Sequence, residues 1–473
     1  MLPMKLLSFI SLVVVLAVVI CAAPAWSQTP VGEPWTMYHI HDGYLIANSL
    51  DAADVNHDGF DDYSVIDEGK GLQTIVFHPG PNGDVRKAWP RVVLGKTGNP
   101  EYSCLGDLDG DGNLDVVVVE GDDMEKGIPT GVRIWWGPTS DKVMDPDAWT
   151  NSGHIPGTEG EQYLFCLVRD LNGDGRGQIL VGGRKHPLTK KYAGIRIISP
   201  PKDGDRRDLK RWTTRHVDPE ALSGHGLVTA DVNGNGLLDI LNADADWDTP
   251  KFEQTLAWYE NPGSDAGPDQ PWKKHAIWRS PAFYAKPQIA VGDLDGDGLA
   301  DLATQTHNFI HVFRKTIEGG QVKFTRTDVR KPEWCQWLGR PIKMADLDGD
   351  GKLEIVAALI HHDGLLPADK ASVFMMKQTG DPFSPDGWSF HPIKWSDGAN
   401  TYHQWTGEKW DHLLFADVDG DGVLDIVGNV EEHYRREPGR MYETIFSVVW
   451  FENPLKPAGR GKAQAEAVEE VGR

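Results

Sequence analysis

Short apolar runs recur along the whole chain, and each is bounded by turns rich in glycine, proline and aspartate. The runs consist largely of β-branched and aromatic residues, as in VVVV after Asp115, IVAAL after Glu354 and DIVGNV after Leu424. Runs of roughly four to eight such residues between turn signals are typical of buried strands. No long stretch shows the periodicity of an amphipathic helix. The pattern therefore predicts an all-β protein made of many short strands.

A second pattern repeats on a longer scale. Seven segments have the form DxDxDGxxD or a close variant of it, and their first aspartates lie between 53 and 71 residues apart. This spacing matches one four-stranded propeller blade, whereas helical solenoid units are shorter. Strand-like runs flank each segment, so the acidic segment is expected to be a loop that connects two strands. The sequence predicts a seven-bladed β-propeller with one such loop in each blade.

The loops have the spacing of calcium ligands. Each carries side-chain oxygens at positions one, three and five, glycine at position six and usually an acid at position nine. Calcium binds about six to eight oxygens, and the glycine permits the sharp turn around the ion. The predicted cofactor is therefore calcium. The predicted ligands are Asp54, Asn56, Asp58, Asp62, Asp107, Asp109, Asp111, Asp115, Asp170, Asn172, Asp174, Asp231, Asn233, Asn235, Asp239, Asp293, Asp295, Asp297, Asp301, Asp346, Asp348, Asp350, Glu354, Asp417, Asp419, Asp421 and Asp425.

The loops are not equivalent, because the number of carboxylates tunes calcium affinity. Four loops offer four carboxylates each, and they start at Asp107, Asp293, Asp346 and Asp417. The loop of Asp170 has Gln178 at position nine, and the loop of Asp231 contains two amides. These two are expected to bind most weakly. The alternative is that the loops are Asx turns whose side chains bond their own backbone.

The seven segments resemble the FG-GAP and VCBS repeats of integrin-α-like propellers. The resemblance extends from about Trp35 to Pro454. It implies a propeller fold and bound calcium, and it implies no particular activity.

The last blade is expected to be completed by the N-terminus. In six blades an aromatic residue is predicted to open the outer strand, namely Trp89, Trp149, Trp212, Trp272, Phe324 and Trp388. The seventh blade has no such segment downstream. Instead PWTMYHIHDG from Pro34 resembles PWKKHAIWRS from Pro271, the outer strand of the fourth blade. We therefore expect Trp35 to about His41 to form the missing strand, which removes two free sheet edges.

The ends of the chain differ in composition from the propeller. Residues 1–27 read as a secretory signal peptide, with cleavage after Ala25 or Ser27, and an uncleaved anchor is the alternative. The propeller is expected over 28–455 and a polar, disordered tail over 456–473. The remaining cysteines, Cys104, Cys166 and Cys335, have no metal-type spacing and are expected to be buried. The prediction is a secreted, periplasmic or cell-surface monomer.

The net charge of −23 is a property of the loops. The carboxylates at loop positions one, three, five and nine equal it in number, so the rest of the chain is nearly balanced. A nucleic-acid-binding protein needs a basic surface, which this composition does not favour.

A functional site is expected on the face opposite the acidic loops. There the residues that enter the inner strands are predicted to surround the mouth of the central channel: Asn48, Glu101, Tyr163, His225, Tyr284, Lys286, Trp337, Arg340, Trp405, Asp411 and His412. Aromatic rings beside cationic groups suit a sugar-acid ligand. The leading hypothesis is an exported, non-enzymatic propeller that binds a glycan or an extracellular protein.

The runner-up is a carbohydrate-active enzyme, in particular a polysaccharide lyase. Its candidate catalytic residues are His225, His412 and Tyr284 for proton transfer and Arg340 for charge stabilisation. A purely structural surface protein is the third hypothesis. A transition-metal centre formed by His361, His362 and Asp363, with His433 or His412, is a further alternative.

Overall fold

The chain forms seven four-stranded antiparallel sheets, so the predicted seven-bladed β-propeller is confirmed. The computed structural model describes residues 29–44, 46–121, 130–185, 191–223, 226–244, 254–263, 272–279, 288–335, 339–359, 369–396, 408–432, 434–435, 443–444 and 447–455. The predicted signal peptide and polar tail lie outside these residues.

The strands follow the chain order inner, second, third and outer within blades 1 to 6. β1 (Thr36–His41) precedes blade 1, which consists of β2 (Ala47–Ala53), β3 (Asp62–Asp67), β4 (Leu72–Val76) and β5 (Arg91–Lys96). Blade 2 consists of β6 (Pro100–Gly106), β7 (Asp115–Glu120), β8 (Val132–Trp136) and β9 (Thr150–His154). Blade 3 consists of β10 (Gln162–Arg169), β11 (Gln178–Arg184), β12 (Ile195–Ser199) and β13 (Thr213–Asp218).

The remaining blades continue the same order. Blade 4 consists of β14 (Val228–Ala230), β15 (Asp239–Asp244), β16 (Thr255–Glu260) and β17 (Lys273–Arg279). Blade 5 consists of β18 (Ala290–Gly292), β19 (Asp301–Gln305), β20 (Phe309–Glu318) and β21 (Gln321–Arg330). Blade 6 consists of β22 (Gly339–Ala345), β23 (Glu354–Leu359), β24 (Ala371–Gln378) and β25 (Trp388–Trp395). Blade 7 contains β26 (Lys409–Ala416), β27 (Asp425–Glu432) and β30 (Val448–Glu452), and a short hairpin β28 (Tyr434–Arg435) and β29 (Glu443–Thr444) lies between the last two.

The N-terminal strand completes blade 7, as predicted. β1 pairs antiparallel with β30, and Tyr38 lies opposite Trp450 in the register. Their rings stack with centroids 4.9 Å apart. Trp35 lies one residue before the strand and is buried, as Trp272 is before β17. The N-terminal strand β1 and the strand β30 of blade 7 therefore share one sheet and close the ring.

The hydrophobic core lies between adjacent blades. The second strands β3 and β7 are buried along their whole length, whereas the outer strand β5 alternates exposed and buried residues. A strand covered on both faces is buried at every position, whereas an edge strand is buried on one face only. Cys104, Cys166 and Cys335 are free and buried, which confirms that they act as small apolar residues.

The aromatic signal for the outer strand was right in five blades and wrong in one. Trp89, Trp149, Trp212 and Trp272 directly precede or lie within two residues of their outer strands, and Trp388 is the first residue of β25. Phe324 does not open a strand, because β21 begins at Gln321. In that blade Gly319 and Gly320 both have positive φ, at 59° and 78°. They form a two-residue hairpin turn that allows both strands to extend further.

The up-and-down order gives the propeller two chemically different faces. We call one of them the loop face. It is formed by the connections between inner and second strands and between third and outer strands. The opposite face is formed by the other two kinds of connection. The helices in the described part of the chain include the three-residue 3-10 turns Ser140–Lys142, Pro146–Ala148 and Leu209–Arg211. Among the described helices, none is long and apolar enough to cross a bilayer.

Candidate functional site: acidic loops and the channel

Each acidic loop is held in shape by its own carboxylates. In blade 2, Asp107 accepts the backbone N–H of Gly110 at 2.7 Å with Oδ1 and that of Gly112 at 3.0 Å with Oδ2. Both glycines have positive φ, at 82° and 86°, a conformation that costs glycine little. Asp111 in turn accepts the N–H of Asn113 at 2.9 Å. The loop is therefore folded around its acidic side chains.

Position nine has a structural role that the sequence did not reveal. Asp115 is fully buried at the start of β7. Its Oδ2 accepts the N–H of Leu108 at 2.9 Å, and its Oδ1 accepts the N–H of Gly137, after the third strand, at 2.8 Å. Burial raises the pKa of this carboxyl to about 7. The carboxylates that make the corresponding pair of bonds in other blades are Asp62, Asp239, Asp301 and Asp425.

The two blades that deviate at position nine show what this anchor requires. Gln178 keeps the loop-side bond, because its Oε1 accepts the N–H of Leu171 at 2.7 Å. Glu354 accepts the N–H of Leu347 at 2.8 Å with Oε2, but its buried Oε1 has no hydrogen-bond partner. Position nine therefore requires a side-chain oxygen that accepts a hydrogen bond, and this oxygen need not belong to a charged group.

Four loops gather three acids whose ligand atoms lie within 4.8 Å of one another. They are the loops predicted to be strongest: Asp107, Asp109 and Asp115; Asp293, Asp295 and Asp297; Asp346, Asp348 and Glu354; and Asp417, Asp419 and Asp425. In the part of the chain that the structure describes, the other three loops, which start at Asp54, Asp170 and Asp231, form no such cluster.

The donors in these clusters fit a calcium ion. Three of the clusters contain a buried carboxylate oxygen without a hydrogen-bond partner: Asp295 Oδ1, Glu354 Oε1 and Asp417 Oδ1. An unsatisfied buried oxygen is costly unless a ligand engages it. All-oxygen, carboxylate-rich clusters favour hard cations such as calcium over softer transition metals. Asx-type bonds occur in weak and strong loops alike, so they do not decide between the two interpretations of the loops.

The loops are also bonded to the next blade. Asn453, after the last strand, donates from Nδ2 to Leu347 O in the blade 6 loop and to Leu424 O in its own loop, both at 2.8 Å. Asn261 bonds Leu171 O of blade 3 at 2.7 Å in the same way. Gln378 and His78 make equivalent contacts with the preceding blades. The backbone carbonyl at loop position two therefore contacts a side chain of the neighbouring blade.

Towards the opposite face, two of the predicted catalytic residues, Arg340 and His412, contact the same carboxylate. The Arg340 guanidinium contacts the Asp411 carboxylate, and His412 Nε2 lies 2.7 Å from Asp411 Oδ2. Gln288 Nε2 lies 2.9 Å from His412 Nδ1. The side chains of Arg340, Asp411 and His412 are 4%, 0% and 5% exposed. These charges are therefore paired beneath the surface.

Aromatic rings of two other blades pack around His412. The centroid of Tyr102, from blade 2, lies 4.7 Å from the His412 ring, and that of Phe165, from blade 3, lies 6.0 Å from it. Tyr102 and Phe165 also contact each other at 4.3 Å. Side chains of blades 2, 3 and 7 therefore contact one another.

The other residues predicted at the channel mouth divide into two groups. Asn48, Glu101 and Tyr163 are buried. Tyr163 donates to Glu161 at 2.8 Å and is joined there by Arg196. The remaining residues of that prediction, and most of the alternative metal centre, lie outside the described residues: His225, Tyr284, Lys286, Trp337, Trp405, His361, His362, Asp363 and His433.

Further buried charge networks on this side were not predicted. Glu120 is fully buried, and its carboxylate lies 2.7 Å from Arg133 Nε and 2.6 Å from His154 Nε2. Lys394 donates to Glu408 at 2.8 Å. The partners in each network come from different strands or connections, so tertiary contacts rather than a local motif bring them together.

The comparisons with known proteins agree with this architecture. Residues 54–118, 231–304 and 293–357 match the FG-GAP-like repeat family. Integrin alpha-PS2 of Drosophila melanogaster is 27% identical over 229 residues, which are 45% of this chain and 15% of the integrin. The chain thus spans a small part of that relative's length.

Two solved structures are similar to the chain at low sequence identity. The structure of the Dos1 propeller has a TM-score of 0.42 and 8% identity, and the match covers 90% of this chain and 96% of that one. A putative oxidoreductase (glucose dehydrogenase) of Thermus thermophilus has a TM-score of 0.36 and 10% identity, with coverage of 68% and 93%.

Seven blades with an acidic loop in each define the chain as a β-propeller of repeated loop-bearing blades. Three regions of the chain match the FG-GAP-like repeat family, so the chain contains FG-GAP-like repeats. A propeller with such repeats supports the assignment of the chain as a protein-interaction module.

Proposed function

We propose that the chain is an exported, calcium-stabilised interaction module that binds an extracellular protein or glycan on the opposite face. One observation carries the choice of binding over catalysis. The candidate catalytic pair Arg340 and His412 is buried and engaged with Asp411. A general acid or base must reach the substrate within hydrogen-bond distance, and this arrangement instead favours a structural role for the cluster.

Calcium would be held by the four clusters on the loop face. The ion supplies charge compensation for carboxylates that otherwise repel one another. The residues of the chain keep the loops in shape through the position-one and position-nine carboxylates. The loop face is therefore the scaffold, and ligand recognition is left to the opposite face. The resemblance to part of an integrin α chain supports an extracellular or surface location.

Tyr192 is the best-defined candidate contact on the opposite face. It lies in the connection between the second and third strands of blade 3 and is 38% exposed. Lys185 Nζ lies 5.0 Å from its ring centroid. An exposed ring beside an ammonium group suits a sugar acid or an acidic peptide segment.

Binding to an array of uronate-containing glycans and extracellular proteins tests the proposal. We expect a ligand that binds in the presence of calcium, with affinity reduced about tenfold by Tyr192→Ala, as for a contact worth about 1.4 kcal/mol. Met144→Ala is the matched control, because Met144 is 50% exposed on the loop face. Equal losses in the two variants would contradict the assignment of the face. Release of an unsaturated sugar, detected by its absorbance, would favour the lyase hypothesis instead.

A further inference from the structure

The position-three aspartate of every four-carboxylate loop contacts a basic side chain. Asp109 Oδ2 lies 2.5 Å from Arg207 Nε, and Asp419 Oδ2 lies 3.0 Å from Arg86 Nη2. The other two pairs are Asp295 with Arg314 at 2.7 Å and Asp348 with Lys377. The four basic side chains come from different places in the sequence, so the recurrence is a property of the folded ring.

Two of these contacts cross a seam between blades. Arg207 lies in the connection before β13 of blade 3, and it contacts both Asp109 and Asp111 of the blade 2 loop. Its guanidinium carbon lies 5.5 Å from the Trp136 ring of blade 2. Arg86 of blade 1 reaches the blade 7 loop and also contacts Glu452 at 2.7 Å. Aromatic packing therefore holds a cation in place over the loop of the preceding blade.

The contacts leave the inner oxygen of each aspartate available to the loop. In blade 2 the arginine contacts Oδ2, whereas Oδ1 of Asp109 accepts the N–H of Asp111 at 3.0 Å. In blade 5 the Asp295 Oδ1 is buried and has no hydrogen-bond partner, while Oδ2 contacts Arg314. One carboxylate can thus face a metal ion and a basic side chain at the same time.

We propose that Arg86, Arg207, Arg314 and Lys377 are counter-ions that set the calcium affinity of these four loops. Four carboxylates crowded in one loop repel one another, and one fixed cation offsets part of that repulsion when no metal is bound. The same cation repels an arriving divalent ion. Its presence therefore stabilises the metal-free loop and weakens calcium binding. This inference rests on the proposed calcium role of the loops.

Calorimetric titration of the full chain with calcium tests the proposal through Arg207→Gln. Arg207 is 44% exposed, and ion pairs of this kind contribute up to about 1 kcal/mol, so we expect roughly three- to fivefold tighter calcium binding at one site. The melting temperature in excess chelator should fall at the same time, because the metal-free loop loses its counter-ion. Lys210→Gln is the matched control, since Lys210 is an exposed residue of the same connection and the charge change is identical.

A second background localises the effect. In a chain carrying Asp109→Asn and Asp111→Asn, the Arg207→Gln change should no longer alter calcium binding, because its partners have lost their charge. Affinity that is unchanged or weaker in Arg207→Gln, or an equal change in Lys210→Gln, would overturn the counter-ion role alone. A wild-type protein that takes up no calcium would overturn the calcium proposal itself, and this role with it.

Discussion

The two faces of the propeller treat charge differently. On the loop face, carboxylates accept backbone N–H groups of their own loops and retain oxygens that point into a shared cluster. On the opposite face, Asp411 is buried against Arg340, and Glu120 is buried against Arg133. A cation can therefore enter the first set of charges, whereas the second set is already neutralised within the protein. We therefore expect calcium to change the contribution of the loop-face carboxylates to stability. The contribution of the buried pairs on the opposite face should not change with calcium.

The largest effect is expected from breaking a buried pair on the opposite face. Asp411→Ala leaves the Arg340 guanidinium buried without its carboxylate, which should lower the free energy of unfolding by about 3–5 kcal/mol. Urea unfolding measures this loss of unfolding free energy. The loss should be the same in calcium and in chelator, and a loss that disappears in either condition would contradict the contrast between the faces.

A smaller loss is expected at a position-nine anchor of the loop face. Asp115→Ala removes the acceptor of two buried N–H groups, so we expect a loss of about 2–4 kcal/mol. Unfolding in excess chelator isolates this role from metal binding. Asp115→Asn is the control, since an amide oxygen can keep one of the bonds as Gln178 does. Equal losses in both variants would show that charge rather than hydrogen bonding matters there.

The seams between blades are expected to depend on single amide groups. Asn453→Ala removes two hydrogen bonds to loop carbonyls and should cost about 1–2 kcal/mol. Gln321→Ala changes an exposed amide at the start of β21 and should change stability by less than about 0.5 kcal/mol. Chemical denaturation of both variants is the measurement, and indistinguishable midpoints would remove the seam role of Asn453.

The smallest effect concerns the first loop. His57 occupies position four with φ 59°, whereas glycine holds that position in the other loops. His57→Gly should relieve left-handed strain and stabilise the chain by up to about 1 kcal/mol. The reverse change, Gly296→Ala, should destabilise it by a similar amount, although a Cβ there has open space. Thermal melts that shift in the same direction for both variants would contradict this explanation.

The features that could be predicted from the sequence are local or repeated. The predicted ligands and glycine of a loop lie within nine consecutive residues, so their spacing can be recognised without knowledge of the rest of the fold. The strand at Thr36–His41 was predictable because its segment resembles the outer strand of blade 4. Repetition thus revealed a pairing between the two ends of the chain.

The features that could not be predicted depend on how the ring brings distant residues together. The N–H of Gly137 is 22 residues from Asp115, and Arg207 is 98 residues from Asp109. No local spacing encodes either contact. The sequence also gave no sign that His412 is packed against Tyr102 and Phe165 of other blades. Sequence patterns therefore predicted local and repeated features but not the burial of side chains that the ring brings together.

The most direct test is the melting temperature of the full chain in calcium and in excess chelator. Ligands that bind only the folded state stabilise it by mass action, so chelation should lower the melting temperature by roughly 5 °C or more. Replacing the first aspartate of the four strong loops, Asp107, Asp293, Asp346 and Asp417, with asparagine should remove most of this response. The same change at Asp170 and Asp231 should leave most of it intact. Identical melting curves of the wild-type chain in calcium and chelator would contradict the account.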